Sequence, residues 1–270
     1  MGAAVSPRGA SPAGRPLAAA LLAAVLAAPA LATTPAPTPA AVKDPAAAKT
    51  PTVEEILARH FEARGGIRKL RSLKTLRQEG RVSAGAHRQG LVTREIKRPG
   101  RIRFEFTVQG VTSVFASDGK RGWKVSPFEG EAGPQSLPED VVAEATEQAD
   151  IDGPLLDWKK KGHRVELAGS EPVGGREAHR LKVTLKSGAT LTAWLDAESM
   201  NLVRMETTRQ ARGRPVRITT TFGDFRKTDG IVFPHLVEVR AAGRPQVLRI
   251  VVDKLEVNPP LADSRFEHPG

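Results

Sequence analysis

The stretch RIRFEFTV, Arg101–Val108, alternates apolar and polar side chains without exception. In an extended strand successive side chains point to opposite faces, so Ile102, Phe104, Phe106 and Val108 share one face. The charged and polar residues between them share the other face. A strand with one dry and one wet face is typical of an antiparallel sheet.

Short runs of the same kind occur along most of the chain and predict about twelve strands. Many are separated by turn signals such as Asp118–Gly119, Lys186–Gly188 and Asp229–Gly230. The other predicted strands are Leu76–Ser83, Gly90–Lys97, Thr112–Ala116, Gly122–Val125, Arg164–Ala168, Ala178–Leu185, Leu191–Asp196, Leu202–Thr207, Val216–Phe225, Val232–Val239 and Val247–Val257. This spacing predicts a mainly β protein with a sandwich or barrel.

Helices are predicted at two places. Thr52 and Glu55 have the spacing of a capping box, and the glycines of Arg64–Gly66 end the helix that it opens. The segment Ser136–Gly162 reads as helix, break, helix, with the break at Gly153. A helical insertion within a run of strands has to lie on the face of the sheet or close its open end.

The N-terminal residues have the pattern of an export signal. Arg8 and Arg15 precede the unbroken apolar run Leu17–Ala28, and small residues end at Ala32. We therefore expect a signal peptide at residues 1–32, cleaved after about Ala32, a Pro/Ala/Thr-rich flexible tether at 33–51, and a single folded domain at 52–270. The apolar run is too short to span a bilayer.

Charge and composition exclude several classes of protein. The net charge is +11, but export and the lack of interleaved basic and aromatic residues argue against nucleic acid. The basic cluster Trp158–Arg164 fits either an anionic head group or a solvated helix end. There is no cysteine, and none of the six histidines has metal-ligand spacing, so no metal and no cofactor are expected.

No catalytic motif stands out, and we do not expect an enzyme. Neither a G-x-S-x-G elbow nor a phosphate-binding loop occurs. Asp224 and Asp229 form the best pair of carboxylates, but both fit turn or strand-end positions, where Asp bonds to its own backbone. An exported enzyme on a β scaffold ranks third among the functions considered.

The dry face of the sheet allows two interpretations. It could be filled by its own aliphatic and aromatic side chains, with Trp123, Trp158 and Trp194 in the core. Alternatively the sheet is too large to fill, and helices close a cavity. Composition alone does not choose between them.

The stretch Lys97–Glu131 resembles the periplasmic outer-membrane lipoprotein carrier LolA. It contains Arg98-Pro99, then Ser117–Lys120, then Trp123, then Pro127-Phe128, in the order and at about the spacing of that family. Three further stretches resemble LolA-like sorting proteins: LDAESMNLVRME (195–206), DFRKTDGIVFPHLVEV (224–239) and LEVNPPLADSRFEHP (255–269).

The resemblance implies an unclosed, strongly curved antiparallel β-barrel, with helices as a lid over an apolar concave face. Thr52–Arg64 and Ser136–Gly162 would form the lid, and Arg98 would latch it, although Arg98 could equally be a solvated charge at a strand end. The residues expected to line the cavity are Ile102, Phe104, Phe106, Phe115, Trp123, Leu155, Leu156 and Trp158.

The implied function is that of a periplasmic carrier. It would bind lipids or the acyl chains of lipoproteins and pass them toward the outer membrane, with transfer partners in the inner and outer membranes. The alternative is a ligand-sensing domain of the same fold that binds a membrane protein partner.

Overall fold

The computed structural model describes residues 50–85, 89–211 and 214–270. The predicted signal peptide, and all of the predicted tether except its last two residues, lie outside the described residues.

Three α-helices are present in the described part of the chain: α1 (Val53–Ala63), α2 (Ile67–Ser72) and α3 (Glu139–Gln148). The predicted capping box of α1 is confirmed. The Thr52 hydroxyl accepts a hydrogen bond from the Glu55 amide at 3.2 Å, and the Glu55 carboxylate accepts one from the Thr52 amide at 2.7 Å. Such reciprocal bonds satisfy amide groups that have no partner within the helix.

Thirteen strands follow along the described residues, and twelve of them overlap the predicted runs. Their bounds are β1 (Thr75–Ala84), β2 (Gln89–Lys97), β3 (Arg101–Val108), β4 (Val111–Ser117), β5 (Gly122–Ser126), β6 (Glu131–Ser136), β7 (Arg164–Val173), β8 (Arg176–Thr184), β9 (Thr190–Asp196), β10 (Leu202–Ala211), β11 (Arg214–Thr228), β12 (Ile231–Ala241) and β13 (Val247–Val257). The additional strand is β6, whose sequence EAGPQS has no apolar alternation.

All thirteen strands form one antiparallel sheet. Its order is β6-β5-β4-β3-β2-β1-β13-β12-β11-β10-β9-β8-β7, so strands that are adjacent in the sheet are consecutive in sequence except where β1 pairs with β13. The two edge strands, β6 and β7, are not paired with each other. The barrel is therefore unclosed, as predicted.

Contacts of α3 show how strongly this sheet curves. Ala145 of α3 and Ala149, the residue that caps its C-terminus, pack against Ile102 of β3, while Glu144 of the same helix lies 3.0 Å from Arg209 of β10. Six strand spacings separate β3 from β10, roughly 29 Å across a flat sheet. One helix contacts both strands because the sheet curls around it, so α3 lies on the concave face.

The predicted second helix of the insertion is wrong. After α3 the chain runs through consecutive turns from Ile151 to Gly162. Asp157 has a φ of +53°, which a right-handed helix cannot accommodate, and its carboxylate is held by Arg71 at 2.6 Å. We call residues 137–162, which comprise α3 and these turns, the covering segment.

The polar face of β3 is less solvated than its sequence predicts, because the C-terminal residues fold over it. Phe266 is completely buried there, and Arg265 pairs with the buried Glu95 at 2.7 Å. The Arg103 guanidinium donates to the Arg265 carbonyl at 2.8 Å. A buried carboxylate is tolerated where it is paired and hydrogen-bonded.

Candidate binding surface on the concave face

Apolar side chains of the concave face form three clusters. The α1 cluster joins α1, α2 and the turns of the covering segment to β7–β9, β12 and β1. The α3 cluster packs Ala145 and Ala149 against Ile96, Ile102 and Phe115. The third, which we call the hairpin cluster, contains no α-helical residue; its members are Val82, Val92 and Phe106, with Ala84, Val108, Phe128, Leu248 and Ile250 partly buried.

The hairpin cluster continues across the sheet by strand register. Ile250 of β13 lies opposite Val237 of β12, and Val237 lies opposite Phe222 of β11. All three are only partly buried. The concave face therefore keeps a band of incompletely covered apolar side chains beside the part that the helices fill.

The structure brings seven of the eight residues predicted to line the cavity onto this face. Ile102, Phe104 and Phe115 lie in the α3 cluster and Phe106 in the hairpin cluster, whereas Leu155, Leu156 and Trp158 belong to the α1 cluster. Ile102, Leu155 and Leu156 are almost fully buried by the protein itself. These positions are part of the core that supports the surface, and the buried Phe106 belongs to the cluster that the partly covered band continues.

Trp123 lies on the opposite face of the sheet, which corrects its predicted position. It pairs with Ala116, whereas Phe115 pairs with Lys124, so Trp123 and Phe115 point in opposite directions. Its indole nitrogen donates to the Phe266 carbonyl at 3.2 Å, and the Arg103 guanidinium lies 5.4 Å from the ring centroid. Trp123 anchors the C-terminal residues to the convex face.

Arg98 contacts the covering segment directly. Its two terminal nitrogens lie 2.5 and 2.6 Å from the carboxylate oxygens of Asp152, and its Nε donates to the Leu73 carbonyl at 2.5 Å. The carboxylate of Asp152 is almost buried, and its hydrogen bonds raise the pKa of Arg98 above the ordinary value. A paired, planar arrangement of this kind is the strong form of an arginine–carboxylate contact.

Two further arginines of the concave face contact α3, and sequence reasoning missed both. Arg209 pairs with the buried Glu144. Arg94 donates to the carbonyl of Gln148, at the last turn of α3, at 3.1 Å, and to the Gln78 side chain at 3.2 Å. The sequence TREI (93–96) contained a signal for Arg94. Arg94 lies two residues before Ile96, so on a strand this charged side chain shares the face of an apolar one.

Of the two aspartates considered for acid–base chemistry, Asp224 lies within β11, away from the turn or strand end predicted for it, and Asp229 lies in the turn after β11. Asp224 and Asp229 have φ values of +47° and +50°. Asp224 is paired with Arg226 at 2.6 Å, and this contact lowers the pKa of the carboxyl. Asp118 accepts from the amides of Lys120 and Arg121, as an Asp in a hairpin turn does.

Among the described residues no three His, Asp or Glu side chains are grouped so that they could hold a metal ion. Within that part of the chain no helix is long and apolar enough to cross a membrane. A depression of about 290 Å³ lies on the convex side of β8–β11, and its lining is mostly polar, including Lys182, Glu206 and Arg217.

Comparison with known proteins identifies the fold. No family model and no curated protein matches the sequence. Among solved structures, a DUF1329 family protein from Desulfovibrio piger matches with a TM-score of 0.58 at 16% identity, covering 81% of this chain and 98% of its own. A LolA superfamily protein from Nitrosomonas europaea matches with a TM-score of 0.51 at 15% identity and the same coverage.

A third structure, a domain from Vibrio parahaemolyticus assigned to outer membrane lipoprotein sorting, has a TM-score of 0.53 at 13% identity. It covers 78% of this chain and 94% of its own. The protein therefore has the LolA-like fold, one unclosed antiparallel sheet with a few helices, as the sequence resemblance implied. At these identities the likeness establishes the fold and leaves the function to be argued from the site.

Proposed function

We propose that the protein binds the acyl chains of lipids or lipoproteins on its concave face and carries them through the periplasm toward the outer membrane. The observation that carries the proposal is the band of partly covered apolar side chains, Ile250, Val237 and Phe222, which continues the hairpin cluster across the concave face. Acyl chains are bound by burial alone, which contributes about 0.8 kcal/mol per CH₂ before ordering costs are subtracted. No catalytic group is required.

The fold supports the same proposal. One structure that shares it is assigned to outer membrane lipoprotein sorting, and such a role fits the export signal expected at residues 1–32. The covering segment is held to the sheet by Arg98 and Asp152, a polar contact that water can replace when the segment moves. A carrier requires such reversible closure.

The test is native mass spectrometry of protein purified gently from the periplasm, followed by uptake of a fluorescent fatty acid. We expect adducts with the masses of lipids or acylated peptides, and uptake that falls at least tenfold in Ile250→Asn. The matched control is Val251→Asn, because Val251 is the next residue of β13 and points to the convex face.

An apo mass with no uptake of fatty acid would contradict the proposal. If the protein then copurified with an inner-membrane protein as a stable complex, the sensor function would replace the carrier function.

A further inference from the structure

Arg94 is a charged side chain placed among the apolar clusters of the concave face. On β2 it points to the same side as Val92, a member of the hairpin cluster, and Ile96, a member of the α3 cluster. Its guanidinium carbon lies 5.7 Å from the centroid of the Phe104 ring. Arg94 therefore lies at the border between the α3 cluster and the hairpin cluster.

The hydrogen bonds of this guanidinium go only to neutral groups. It donates to the side-chain oxygen of Gln78 and the main-chain carbonyl of Gln148, and its Nε is enclosed without a hydrogen-bond partner. No carboxylate of the described residues lies within ion-pair distance of Arg94, whereas the neighbouring Arg98 and Arg209 each have one. Burial alone lowers the pKa of Arg94 to about 10, so it remains charged at neutral pH.

A buried charge without a counter-ion is costly, and the neutral contacts offset only part of that cost. The C-terminal carbonyl of a helix and the face of an aromatic ring both attract a cation. Neither satisfies the Nε–H, which an anionic oxygen would bond well.

We infer that Arg94 is the recognition residue for the anionic head group, carboxylate or phosphate, of an acyl ligand whose chain lies along the hairpin cluster. This inference rests on the proposed function and deepens it, because it selects anionic amphiphiles over neutral ones. Val92 and Phe106 adjoin Arg94 on this face and are buried, so they form the floor of the hairpin cluster. Its partly buried members, among them Val108, Leu248 and Ile250, provide the apolar surface for the chain.

The experiment measures how well oleate, oleyl phosphate and oleyl alcohol displace Nile red from delipidated protein below their critical micelle concentrations. These probes share one chain and differ in head-group charge. We expect the two anions to bind at least tenfold more tightly than the alcohol in the wild type. In Arg94→Gln that ratio falls to about one, while the affinity for the alcohol is retained.

Two variants control for folding and for charge in general. Arg94→Lys keeps the charge without the planar fork and is expected to retain part of the selectivity. Arg81→Gln removes an exposed arginine from the convex face, where it pairs with Asp253, and should leave the ratio unchanged. If Arg94 only stabilises the end of α3, Arg94→Gln weakens all three probes equally, which overturns the inference.

The remaining outcomes separate this inference from the proposed function. Equal binding of oleate and oleyl alcohol by the wild type leaves the proposed function standing and overturns the assignment of Arg94. Failure of every chain to bind overturns both. Competition by acetate or inorganic phosphate at the concentrations effective for oleate would mean that the site takes a free anion, which overturns the assignment to lipids.

Discussion

His60 is a buried imidazole that holds α1 against the β9–β10 turn. It is only 2% exposed, and its Nδ1–H donates to the Met200 carbonyl at 2.6 Å. Burial is the main cause that lowers its pKa to about 4; the bond to Met200 opposes this, and the charge of Arg64 adds to it.

The depressed pKa predicts a loss of stability in weak acid. Above pH 6.5 the imidazole is neutral in both the folded and the unfolded chain, so it makes no pH-dependent contribution. Between pH 6.5 and 4 the imidazole is protonated in the unfolded chain but stays neutral in the folded protein. Because the unfolded state binds the extra proton, the free energy of unfolding falls by up to about 3 kcal/mol. Urea unfolding of the wild type at pH 7.5, 5.5 and 4.5 measures this slope.

The variant His60→Asn keeps a donor for the Met200 carbonyl but has no titratable ring, so we expect a shallower slope between pH 6.5 and 4. His179→Asn is the control, because His179 is only partly buried and should contribute less. Identical slopes for the wild type and His60→Asn would mean that other groups cause the loss.

Trp123 and Arg94 show which single residues the sequence could place. The side of the sheet on which Trp123 lies could have been predicted from the sequence. The Asp118–Gly119 turn pairs Ser117 with Gly122, so Trp123 has to lie opposite Ala116 and point away from the side of Phe115. Arg94 was harder, because an isolated arginine in an apolar position is equally consistent with a bulge or an edge. Only the approach of α3 explains why a charge is partly buried there.

Among the elements, the contact between β2 and the covering segment is the one that a carrier would have to break. Arg98 follows β2, and Asp152 lies in the turns after α3. We expect a double-mutant cycle with Arg98→Gln and Asp152→Asn to give a coupling free energy of about 1–2 kcal/mol, since Arg98 is one-third exposed and the pair is partly screened. Hydrogen exchange in residues 137–162 should accelerate in both single variants.

The control cycle uses Arg81 and Asp253, a pair of similar geometry whose side chains are 65% and 46% exposed. Its coupling should be smaller, and its variants should leave exchange in the covering segment unchanged. Equal coupling in the two cycles would show that Arg98 acts as an ordinary surface charge.

Elements with a strong local pattern were predicted well, and those set by distant contacts were not. Strand β3 has the predicted bounds because its alternation is complete. Strand β6 was missed because its sequence has no apolar alternation. It lies at the edge of the sheet, where it pairs only with β5, and a strand in that position can form without an apolar face. The turns from Ile151 to Gly162 contain Leu155 and Leu156, whose spacing resembles the apolar stripe of a helix. Both side chains pack into the α1 cluster from a segment that is not helical.

For the whole molecule, the chain topology is what sequence periodicity could not provide. Pairing of β1 with β13 joins the two ends of the folded chain, and no local pattern in either strand specifies that partner. Curvature is likewise a property of the complete sheet, visible here because Leu76 of β1 and Val165 of β7 share one cluster. The curvature was implied by the resemblance to LolA, whereas the pairing of β1 with β13 was not predicted.

The proposed function requires the covering segment and the sheet to move relative to each other, and the absence of cysteine makes this testable. A Cβ atom on Gly122 of β5 would lie 3.0 Å from Cγ2 of Val142 in α3. The two Cβ atoms would then be at most about 4.5 Å apart, within the range of a disulfide. The variant Gly122→Cys/Val142→Cys should therefore fasten α3 to the sheet when it is oxidised.

If acyl chains enter as the covering segment lifts, uptake of fluorescent fatty acid by the oxidised variant should be at least tenfold slower than by the wild type, and dithiothreitol should restore it. The two single-cysteine variants, treated in the same way, control for the substitutions themselves. Equal uptake before and after reduction would mean that α3 stays in place while the ligand enters. In that case the hairpin cluster, which no α-helix covers, is itself the entrance, and the Arg98–Asp152 pair stabilises the fold without gating it.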